Sequence, residues 1–279
     1  MPEGWEWDET LFEGSAPYYA QGRLPYPSGL PDAFAGALDL SGSPRLLDVG
    51  CGPGIVALTL AGLFAEVVGV DPDGAMLAEA ERQARRRGLG NLRWVRRRAE
   101  ELPAGLGSFR CAVFAQSFHW MDREQVASTV FDMLEPGGAF VHLNTAVAAP
   151  PVPPPLPFPV PPLQEVDALC QSYLGEARRA GRGFLHHGTP GGQADILRAA
   201  GFLAARVVPV QGREVLERSV DDIVASVFSA SGSAPHLFGP RRQAFETDLR
   251  RLLQAASDDG RFSEWLGDVQ LDVYLRPWL

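Results

Sequence analysis

The fold of this chain is predicted by one short stretch, LDVGCGPG at residues 47–54. An apolar run ends there in a turn with glycines at alternate positions, and a helical pattern follows from Ile55. Glycine at such a turn lets a ligand approach the backbone, and it lets the helix start close to the sheet. The first turn of that helix offers unpaired N–H groups to a polar or anionic ligand. The stretch therefore predicts a ligand-binding strand–turn–helix unit.

The region around this unit, residues 45–144, alternates between short apolar runs and helical patterns. This alternation predicts an α/β fold with a parallel sheet and helices on both faces. After a proline-rich stretch at 149–162, the pattern continues with more helices and two further strands. The predicted strands are 45–49, 67–70, 92–95, 111–115, 139–143, 207–210 and 269–275, and the predicted helices are 55–64, 73–87, 124–134, 164–180, 192–200, 220–228 and 241–255.

Acidic residues follow the second and third predicted strands. Asp71 ends the second strand, one strand–helix–strand unit after Gly50, where a carboxylate can accept hydrogen bonds from two ribose hydroxyls. Ala99 and Glu100 come just after the third strand, and a carboxylate there can accept a hydrogen bond from an adenine amine. Glu101 stands beside Glu100 and is the alternative acceptor. These positions predict a nucleoside-containing ligand across strands one and two.

A series of motifs in a fixed order resembles the class I S-adenosylmethionine-dependent methyltransferases: LDVGCGPG (47–54), GVDPDGAML (69–77), AEELP (99–103), FAQSFHWMD (114–122) and LEPGGAF (134–140). The resemblance covers roughly residues 45–144. It implies a Rossmann-like sheet of seven strands, six parallel and one antiparallel, with helices on both faces and helical insertions forming a cap over its carboxyl edge. It also implies S-adenosyl-L-methionine as cofactor and S-adenosyl-L-homocysteine as product.

The N-terminal stretch APYYAQGRLPYP at 16–27 resembles the lead-in of one branch of that family, the small-molecule enzymes similar to trans-aconitate methyltransferase. That branch usually has Arg-Pro, whereas Leu24 follows Arg23 here. Tyr19, Arg23 and Tyr26 are interpreted either as groups that fold over the cofactor, with the arginine on its carboxylate, or as an N-terminal helix that packs on the sheet.

Taken together, the motifs and the resemblance predict a set of cofactor-binding residues. Asp48 has two interpretations, because it could reach the amino-acid end of the cofactor or act as a structural cap for the helix. The predicted set is Tyr19, Arg23, Asp48, Gly50, Cys51, Gly52, Gly54, Asp71, Pro72, Met76, Ala99, Glu100, Gln116, Ser117 and Trp120.

His119 is the candidate catalytic residue, since it leaves the fourth strand where the transferred methyl should point. It could act as a general base near neutral pH. Alternatively, it shapes the wall of the pocket together with Trp120, because methyl transfer often needs only alignment and desolvation.

The motifs divide the chain into three regions. Residues 1–40 are predicted to cover the cofactor site, 41–144 to form the S-adenosylmethionine-binding core, and 145–279 to complete the sheet and carry the cap. The inserted segments 145–190 and 211–265 lie outside the cofactor motifs and hold several aromatics, so we expect them to line the acceptor pocket. These aromatics are Tyr173, Phe228, Phe238 and Trp265.

Composition excludes several classes of protein. The formal net charge is −9, and all 25 basic residues are arginine, so Schiff-base lysine enzymes and standard P-loops are excluded. The acidic balance makes a nucleic-acid partner unexpected, and the arginines between 82 and 98 are interpreted as a solvated surface. His186 and His187 have no acidic neighbours that would complete a metal site, so we expect no metal. The widely spaced cysteines, the acidic N-terminus and the lack of a membrane-helix pattern lead us to expect a soluble cytoplasmic protein.

The expected function is S-adenosylmethionine-dependent methyl transfer to the oxygen, nitrogen or carbon of a small-molecule acceptor. Arginine-only, alanine-rich usage fits a GC-rich genome and suggests natural-product biosynthesis. The alternatives are a non-catalytic S-adenosylmethionine binder and a methyltransferase-fold enzyme of another reaction type. A nicotinamide dehydrogenase is disfavoured, because the third glycine of its G-x-G-x-x-G fingerprint is Ile55 here.

Overall fold

The computed structural model describes residues 8, 10–145, 155–176, 179–180, 183–184 and 191–278. Its helices and strands alternate through the first half of the chain, as the apolar pattern predicts. In chain order they are α1 (Ala16–Gly22), α2 (Leu30–Ala37), β1 (Arg45–Val49), α3 (Ile55–Leu60), β2 (Glu66–Asp71), α4 (Gly74–Arg86), β3 (Leu92–Arg96), β4 (Phe109–Ala115), α5 (Arg123–Met133), β5 (Leu134–Thr145), α6 (Leu163–Leu174), β6 (Arg179–Ala180), β7 (Gly183–Phe184), α7 (Gln193–Ala199), β8 (Arg206–Val210), β9 (Val215–Ser219), α8 (Val220–Phe228), α9 (Arg242–Ala256), β10 (Arg261–Trp265) and β11 (Val269–Leu275).

The main sheet has seven strands in the order β3-β2-β1-β4-β5-β11-β8. Neighbouring strands from β3 to β5 are parallel, and β11 runs antiparallel to both β5 and β8. Six strands therefore point one way and one the other, which confirms the predicted fold class. The carboxyl ends of β1, β2 and β4 meet at one edge, where open α/β sheets bind their ligands.

Both faces of the central strands β1, β2 and β4 are buried, which explains why these strands appear as continuous apolar runs. On one face Phe114 stacks on Phe140, with ring centroids 4.3 Å apart, and Phe118 meets both rings edge-on. On the other face Val113 and Leu271 pack in a second apolar cluster that includes side chains of α2 and α3. The two clusters hold the strand ends in a fixed register.

Short polar signals set the helix boundaries at this edge. The Asp73 side chain accepts hydrogen bonds from the N–H groups of Ala75 and Met76 and so caps α4. One predicted boundary was wrong, because the helix expected over 164–180 ends at Leu174. Gly175 follows it with a φ of +88°, and this conformation ends the helix.

The C-terminal region forms a second layer, here called the cap, which consists of α6, α8, α9, β9 and β10. The pairing of β9 with β10 as a two-stranded antiparallel sheet was not predicted from the sequence. The cap has an apolar core of its own. Its buried residues are Val166, Ile223, Val224, Phe228, Phe238, Phe245, Leu249, Leu253 and Phe262.

Candidate functional site

A cavity of about 290 Å³ opens at the carboxyl edge of β1, β2 and β4. Its walls come from the glycine turn, the start of α4, the segments after β3 and β4, and the N-terminal segment. We call it the edge cavity. Its lining residues are Leu11, Phe12, Glu13, Gly14, Tyr19, Gly50, Gly52, Asp71, Pro72, Asp73, Gly74, Ala75, Met76, Arg96, Arg98, Ala99, Glu100, Ala115, Gln116, Ser117, Trp120 and Met121.

The three glycines of the turn have different roles, although all have positive φ. A Cβ on Gly52 would meet no atom within 4 Å, so this position faces open space. A Cβ on Gly50 would lie 2.6 Å from Cβ of Ser117, and one on Gly54 would lie 2.6 Å from the ring of Trp94. Gly52 therefore leaves room for a ligand, whereas Gly50 and Gly54 allow close packing.

Asp71 ends β2 with its carboxylate at the wall of the edge cavity and is only 9% exposed. Its Oδ2 accepts the Gly52 N–H at 2.8 Å, and its Oδ1 accepts the Asp73 N–H at 2.9 Å. Burial raises the pKa of this carboxyl to about 6, against the opposing effect of the two N–H donors. Each oxygen retains acceptor capacity, so the carboxylate can also bind two hydroxyl groups.

Asp48 is almost completely buried in β1 and lies off the edge cavity. Its Oδ2 accepts the N–H of Ala57, in the first turn of α3, at 3.1 Å. Burial raises the pKa of Asp48 to about 7, and the nearby Asp71 adds to the shift. The geometry matches the structural interpretation of Asp48, in which it caps the helix that follows the glycine turn.

The far end of the edge cavity is built from the segment after β4. Gln116 is a non-glycine residue with a φ of +57°, a strained conformation that is often found at functional sites. Its Nε2 donates to the carbonyl of Leu143 at 3.3 Å, and Ser117 Oγ donates to the carbonyl of Val49 at 2.6 Å. Trp120 lines the cavity, whereas His119 lies beside it with its ring centroid 4.7 Å from that of Trp120.

Of the two neighbouring glutamates, only Glu100 lines the edge cavity. Its Oε1 accepts the N–H of Asp122 at 2.9 Å, and its Oε2 lies 3.4 Å from Nε of Arg98. Glu101 instead accepts the N–H of Arg98 at 2.7 Å in an exposed turn. The geometry therefore favours Glu100 over Glu101 as a ligand-binding carboxylate.

The N-terminal segment 11–22, here called the lid, contributes five of its residues to the edge cavity. Its α1 packs tightly on the cap, since a Cβ on Gly22 would lie 2.3 Å from the backbone of Ala225. Ser15 Oγ donates to the carbonyl of Phe228 at 2.8 Å, and Arg218 donates to the carbonyl of Gly22 at 2.8 Å. The cap therefore holds the lid over the cavity.

Several predicted site residues lie off the edge cavity. Arg23 donates to the carbonyl of Ser229 at 2.9 Å, and its guanidinium lies 4.9 Å from the Tyr19 ring centroid, so it joins the lid to the cap. Cys51 is buried, and burial raises the pKa of its thiol well above the usual range. Together with Asp48, Gly54 and His119, described above, these residues support the site without lining it.

The aromatics predicted to form an acceptor pocket do not line the edge cavity. Phe228 and Phe238 are buried in the core of the cap, and Tyr173 donates its hydroxyl to Asp248 at 2.7 Å. Trp265 lies in β10, paired with Val215. Phe228 and Phe238 are buried by the packing of the cap itself, whereas Tyr173 and Trp265 are half-buried.

Sequence reasoning missed several residues of the edge cavity. Asp73, Gly74 and Ala75 begin α4 directly after Asp71, and Arg96 ends β3. Their position just beyond the carboxyl ends of two strands was a signal that could have identified them. The lid residues 11–14 carry no comparable signal, because they reach the cavity only through the packing of α1.

Two predictions fall on parts of the chain outside the described residues: His186-His187, and the first part of the proline-rich stretch, 149–154. Within the ranges that are described, no group of three or more His, Cys, Asp or Glu side chains could hold a metal ion. No helix in those same ranges has the length and apolar character needed to cross a membrane.

Comparison with known proteins agrees with this geometry. Residues 46–138 match the family model described as "Methyltransferase domain". A yeast protein described as "Probable S-adenosylmethionine-dependent methyltransferase CRG1" (Saccharomyces cerevisiae) is 32% identical over 34% of this chain and 33% of its own. The demethylmenaquinone methyltransferase of Thermus thermophilus is 38% identical over 36% of this chain and 46% of its own. The matches thus span less than half the length of both relatives.

One similar solved structure carries the description "Conversion of a Disulfide Bond into a Thioacetal Group during Echinomycin Biosynthesis". It aligns with 97% of this chain and 91% of its own, with a TM-score of 0.51 and 18% identity. That likeness supports the fold alone. The sheet order and the position of the edge cavity at its carboxyl edge are in keeping with the match of residues 46–138 to a methyltransferase domain.

Proposed function

We propose that this chain transfers the methyl group of S-adenosylmethionine to a small-molecule acceptor. The observation that carries the proposal is the edge cavity, where an open glycine position and a buried carboxylate stand at the ends of neighbouring strands. Gly52 would allow the amino-acid part of the cofactor to approach the backbone, because its Cβ position is open. Asp71 would accept hydrogen bonds from the two ribose hydroxyls.

The adenine would lie beside Ala99 and Glu100, with the Glu100 carboxylate as acceptor for its amine. Met76 is 2% exposed and contributes apolar surface to the same wall. The lid residues Leu11, Phe12 and Tyr19 would cover the ligand from the other side and exclude water. The residues present therefore fit a nucleoside.

When bound, S-adenosylmethionine supplies an electrophilic methyl group on a sulfonium ion. That methyl group would pass to an electron pair on the oxygen, nitrogen or carbon of the acceptor, the C–S bonding pair would stay on sulfur, and any proton lost by the acceptor would pass to water. Positive charge is removed rather than created at sulfur, so the protein contributes mainly alignment and the exclusion of water. Gln116, Ser117 and Trp120 are the residues that would face the methyl.

The similarity to a demethylmenaquinone methyltransferase supports a small-molecule acceptor with a quinone-like ring as the first class to screen. A branch similar to trans-aconitate methyltransferase stays a prediction, based on the N-terminal stretch 16–27. Both acceptor classes can be tested with the same purified protein.

The direct test is calorimetry with S-adenosylmethionine and S-adenosylhomocysteine, followed by mass spectrometry of acceptor mixtures for a mass gain of one methylene group. Glu100→Gln and its neighbour Glu101→Gln form a matched pair, because only the first side chain lines the edge cavity. We expect Glu100→Gln to weaken binding about tenfold and Glu101→Gln to leave it unchanged. No binding of either cofactor form to the wild-type protein would overturn the proposal.

A further inference from the structure

A second group of polar side chains lies on the strands next to the edge cavity. His142 and Asn144 belong to β5, and Asp272 and Gln270 stand opposite them on the antiparallel strand β11. His142 and Asp272 are 8% and 7% exposed. We call these four residues the β5–β11 polar cluster. Its burial is costly unless the polar groups find partners, so its hydrogen bonds are informative.

The hydrogen bonds of the cluster determine the tautomer of His142. Asn144 Nδ2 lies 2.7 Å from Asp272 Oδ2 and 2.9 Å from His142 Nδ1, and Gln270 Nε2 donates to Asp272 Oδ1 at 2.8 Å. A carboxylate only accepts, so the donor nitrogen of the Asn144 amide must be the atom that faces Asp272. The same nitrogen then donates to Nδ1 of His142. Nδ1 is therefore an acceptor, and the ring proton is on Nε2.

The Nε2–H group of His142 has no hydrogen-bond partner among the residues that the structure describes. Burial lowers the pKa of His142, which keeps the ring neutral near pH 7 and Nε2–H a donor. Nε2 of His142 is not among the described side-chain nitrogen and oxygen atoms that are both fully buried and unpaired, so it remains accessible and can donate to a ligand oxygen. Asp272 already accepts an amide N–H on each of its oxygens, so the Nε2–H of His142 is the group of the cluster that lacks a partner.

The β5–β11 polar cluster lies at the carboxyl edge of the sheet, on the strand next to β4. Ala115 pairs with Leu143, which puts Asn144 level with Gln116 at the end of the edge cavity. Adjacent strands are about 4.8 Å apart. Along this edge, the proposed ribose acceptor on β2 is thus followed by the glycine turn on β1, then by the segment after β4, and then by this cluster on β5. The ring centroid of Phe118 lies 6.2 Å from that of His142 and connects the cluster to the segment after β4.

We propose that His142 Nε2–H binds an oxygen of the methyl acceptor, so that the acceptor is an enol, a phenol or a related carbonyl compound. The inference rests on the proposed function and names the substrate class of the same site. A donor at this point stabilises negative charge on the acceptor oxygen and holds the acceptor beyond the methyl. An amine acceptor would instead bring its own N–H groups against this donor.

The tautomer can be measured without any ligand, by ring-¹⁵N NMR of the histidines at pH 7.5. We expect His142 to be neutral with its proton on Nε2. In Asn144→Leu the Nδ1 acceptor loses its donor, so a mixture of tautomers should appear. A wild-type ring with its proton on Nδ1, or a doubly protonated ring, would overturn the proposal.

Binding is tested with 4-nitrophenolate and 4-nitroaniline, probes of the same shape that carry an oxygen acceptor or an amino donor. With S-adenosylhomocysteine bound, the wild-type protein should bind the phenolate at least about tenfold more tightly, as a hydrogen bond to a charged group predicts. His142→Phe should lose this preference and keep its S-adenosylhomocysteine affinity. His142→Gln, which keeps an amide donor, should recover part of it.

Equal binding of the two probes to the wild-type protein would overturn this inference and leave the proposed function intact. A preference that persists in His142→Phe would do the same. If S-adenosylhomocysteine fails to bind at all, the proposed function itself fails, so the two failures are distinguishable. Should His142→Phe not fold, the wild-type preference and His142→Gln still decide the outcome.

Discussion

The sheet and the cap differ in how they serve the candidate site. The edge cavity is lined by residues from the sheet, its following loops and the lid, whereas the described residues of the cap line none of it. The cap encloses a core of its own and reaches the site through α1, which it holds by backbone-directed hydrogen bonds such as that of Ser15. One region thus lines the candidate site, and the other holds the segment that covers it.

The buried charged side chains of the sheet and of the cap also differ in their surroundings. In the sheet, burial raises the pKa of Asp48 to about 7 and that of Asp71 to about 6. In the cap, the buried Arg218 lies 3.0 Å from Glu264 and donates to three main-chain carbonyls. Burial raises the pKa of Glu264 as well, so the difference is one of position: Asp71 borders the edge cavity, whereas Arg218 and Glu264 lie within the cap.

Gly52→Val should have the largest effect of the sheet variants. The branched side chain would enter the open space of the edge cavity, and the positive φ adds strain of about 1–3 kcal/mol. We expect cofactor binding to be lost in calorimetry while the circular dichroism spectrum is retained. Gly62→Val is the control, because its Cβ position is also open but lies in a turn after α3. Normal cofactor affinity in Gly52→Val would show that the ligand does not lie over the glycine turn.

Asp71→Ala should weaken cofactor binding by roughly 2–4 kcal/mol, since two hydroxyl groups lose a charged acceptor. Asp195→Ala removes an exposed carboxylate on α7 and should leave the affinity unchanged. Calorimetry of both variants with S-adenosylhomocysteine makes the comparison. Unaltered affinity in Asp71→Ala would show that Asp71 does not bind the ribose hydroxyls. The main difference between the sheet and the cap would then be lost.

The two buried aspartates predict opposite pH trends for stability and for binding. Their pKa values lie above the ordinary 3.8, so the folded protein binds more protons than the unfolded chain between about pH 4 and 7. The free energy of unfolding should therefore fall by a few kcal/mol as the pH rises through this range. Cofactor affinity should rise above about pH 6, because ionised Asp71 is the better acceptor.

Urea unfolding of the ligand-free protein at pH 5 and pH 8, compared with Asp48→Asn, isolates the contribution of Asp48. Calorimetry at the same two pH values follows Asp71. We expect the wild-type unfolding free energy to fall relative to that of Asp48→Asn as the pH rises. If the wild-type unfolding free energy instead rises relative to that of Asp48→Asn as the pH rises, the pKa of Asp48 is not raised.

Ser15→Ala tests whether the cap acts through the lid. The variant removes the buried hydrogen bond to the carbonyl of Phe228, and Ser15 itself does not line the edge cavity. We expect a loss of about 1 kcal/mol in cofactor binding, mostly as faster dissociation in stopped-flow measurements. Ser172→Ala removes a similar bond, to the carbonyl of Leu169 on the exposed face of α6, and should change nothing. Equal rates of cofactor dissociation in both variants would show that this contact with the cap does not act on the site through the lid.

His119→Ala should have the smallest effect, because the side chain lies beside Trp120 and off the edge cavity. We expect less than a tenfold change in kcat, with the effect appearing mainly in KM for the acceptor. A loss of about 10²–10⁴-fold in kcat at unchanged cofactor affinity would instead make His119 the general base.

The sequence by itself determined the sheet, the glycine turn and the position of Asp71. Each of these depends on residues that are close in the chain, where the period of apolar side chains and the order of the motifs are visible. The seven strands of the main sheet were predicted for the same reason. The end of α6 was misplaced, although Gly175 is itself a local signal for the end of a helix.

Only the tertiary structure decided which of these residues meet. Gly50, Gly52 and Gly54 look alike in the sequence, and their different roles depend on Ser117 and Trp94, which come from other segments. The lid reaches the edge cavity because α1 packs on α8, far along the chain, and His142 meets Asp272 only through the register of β5 and β11. Such contacts join segments whose separate patterns carry no information about their partners, so packing and register alone select them.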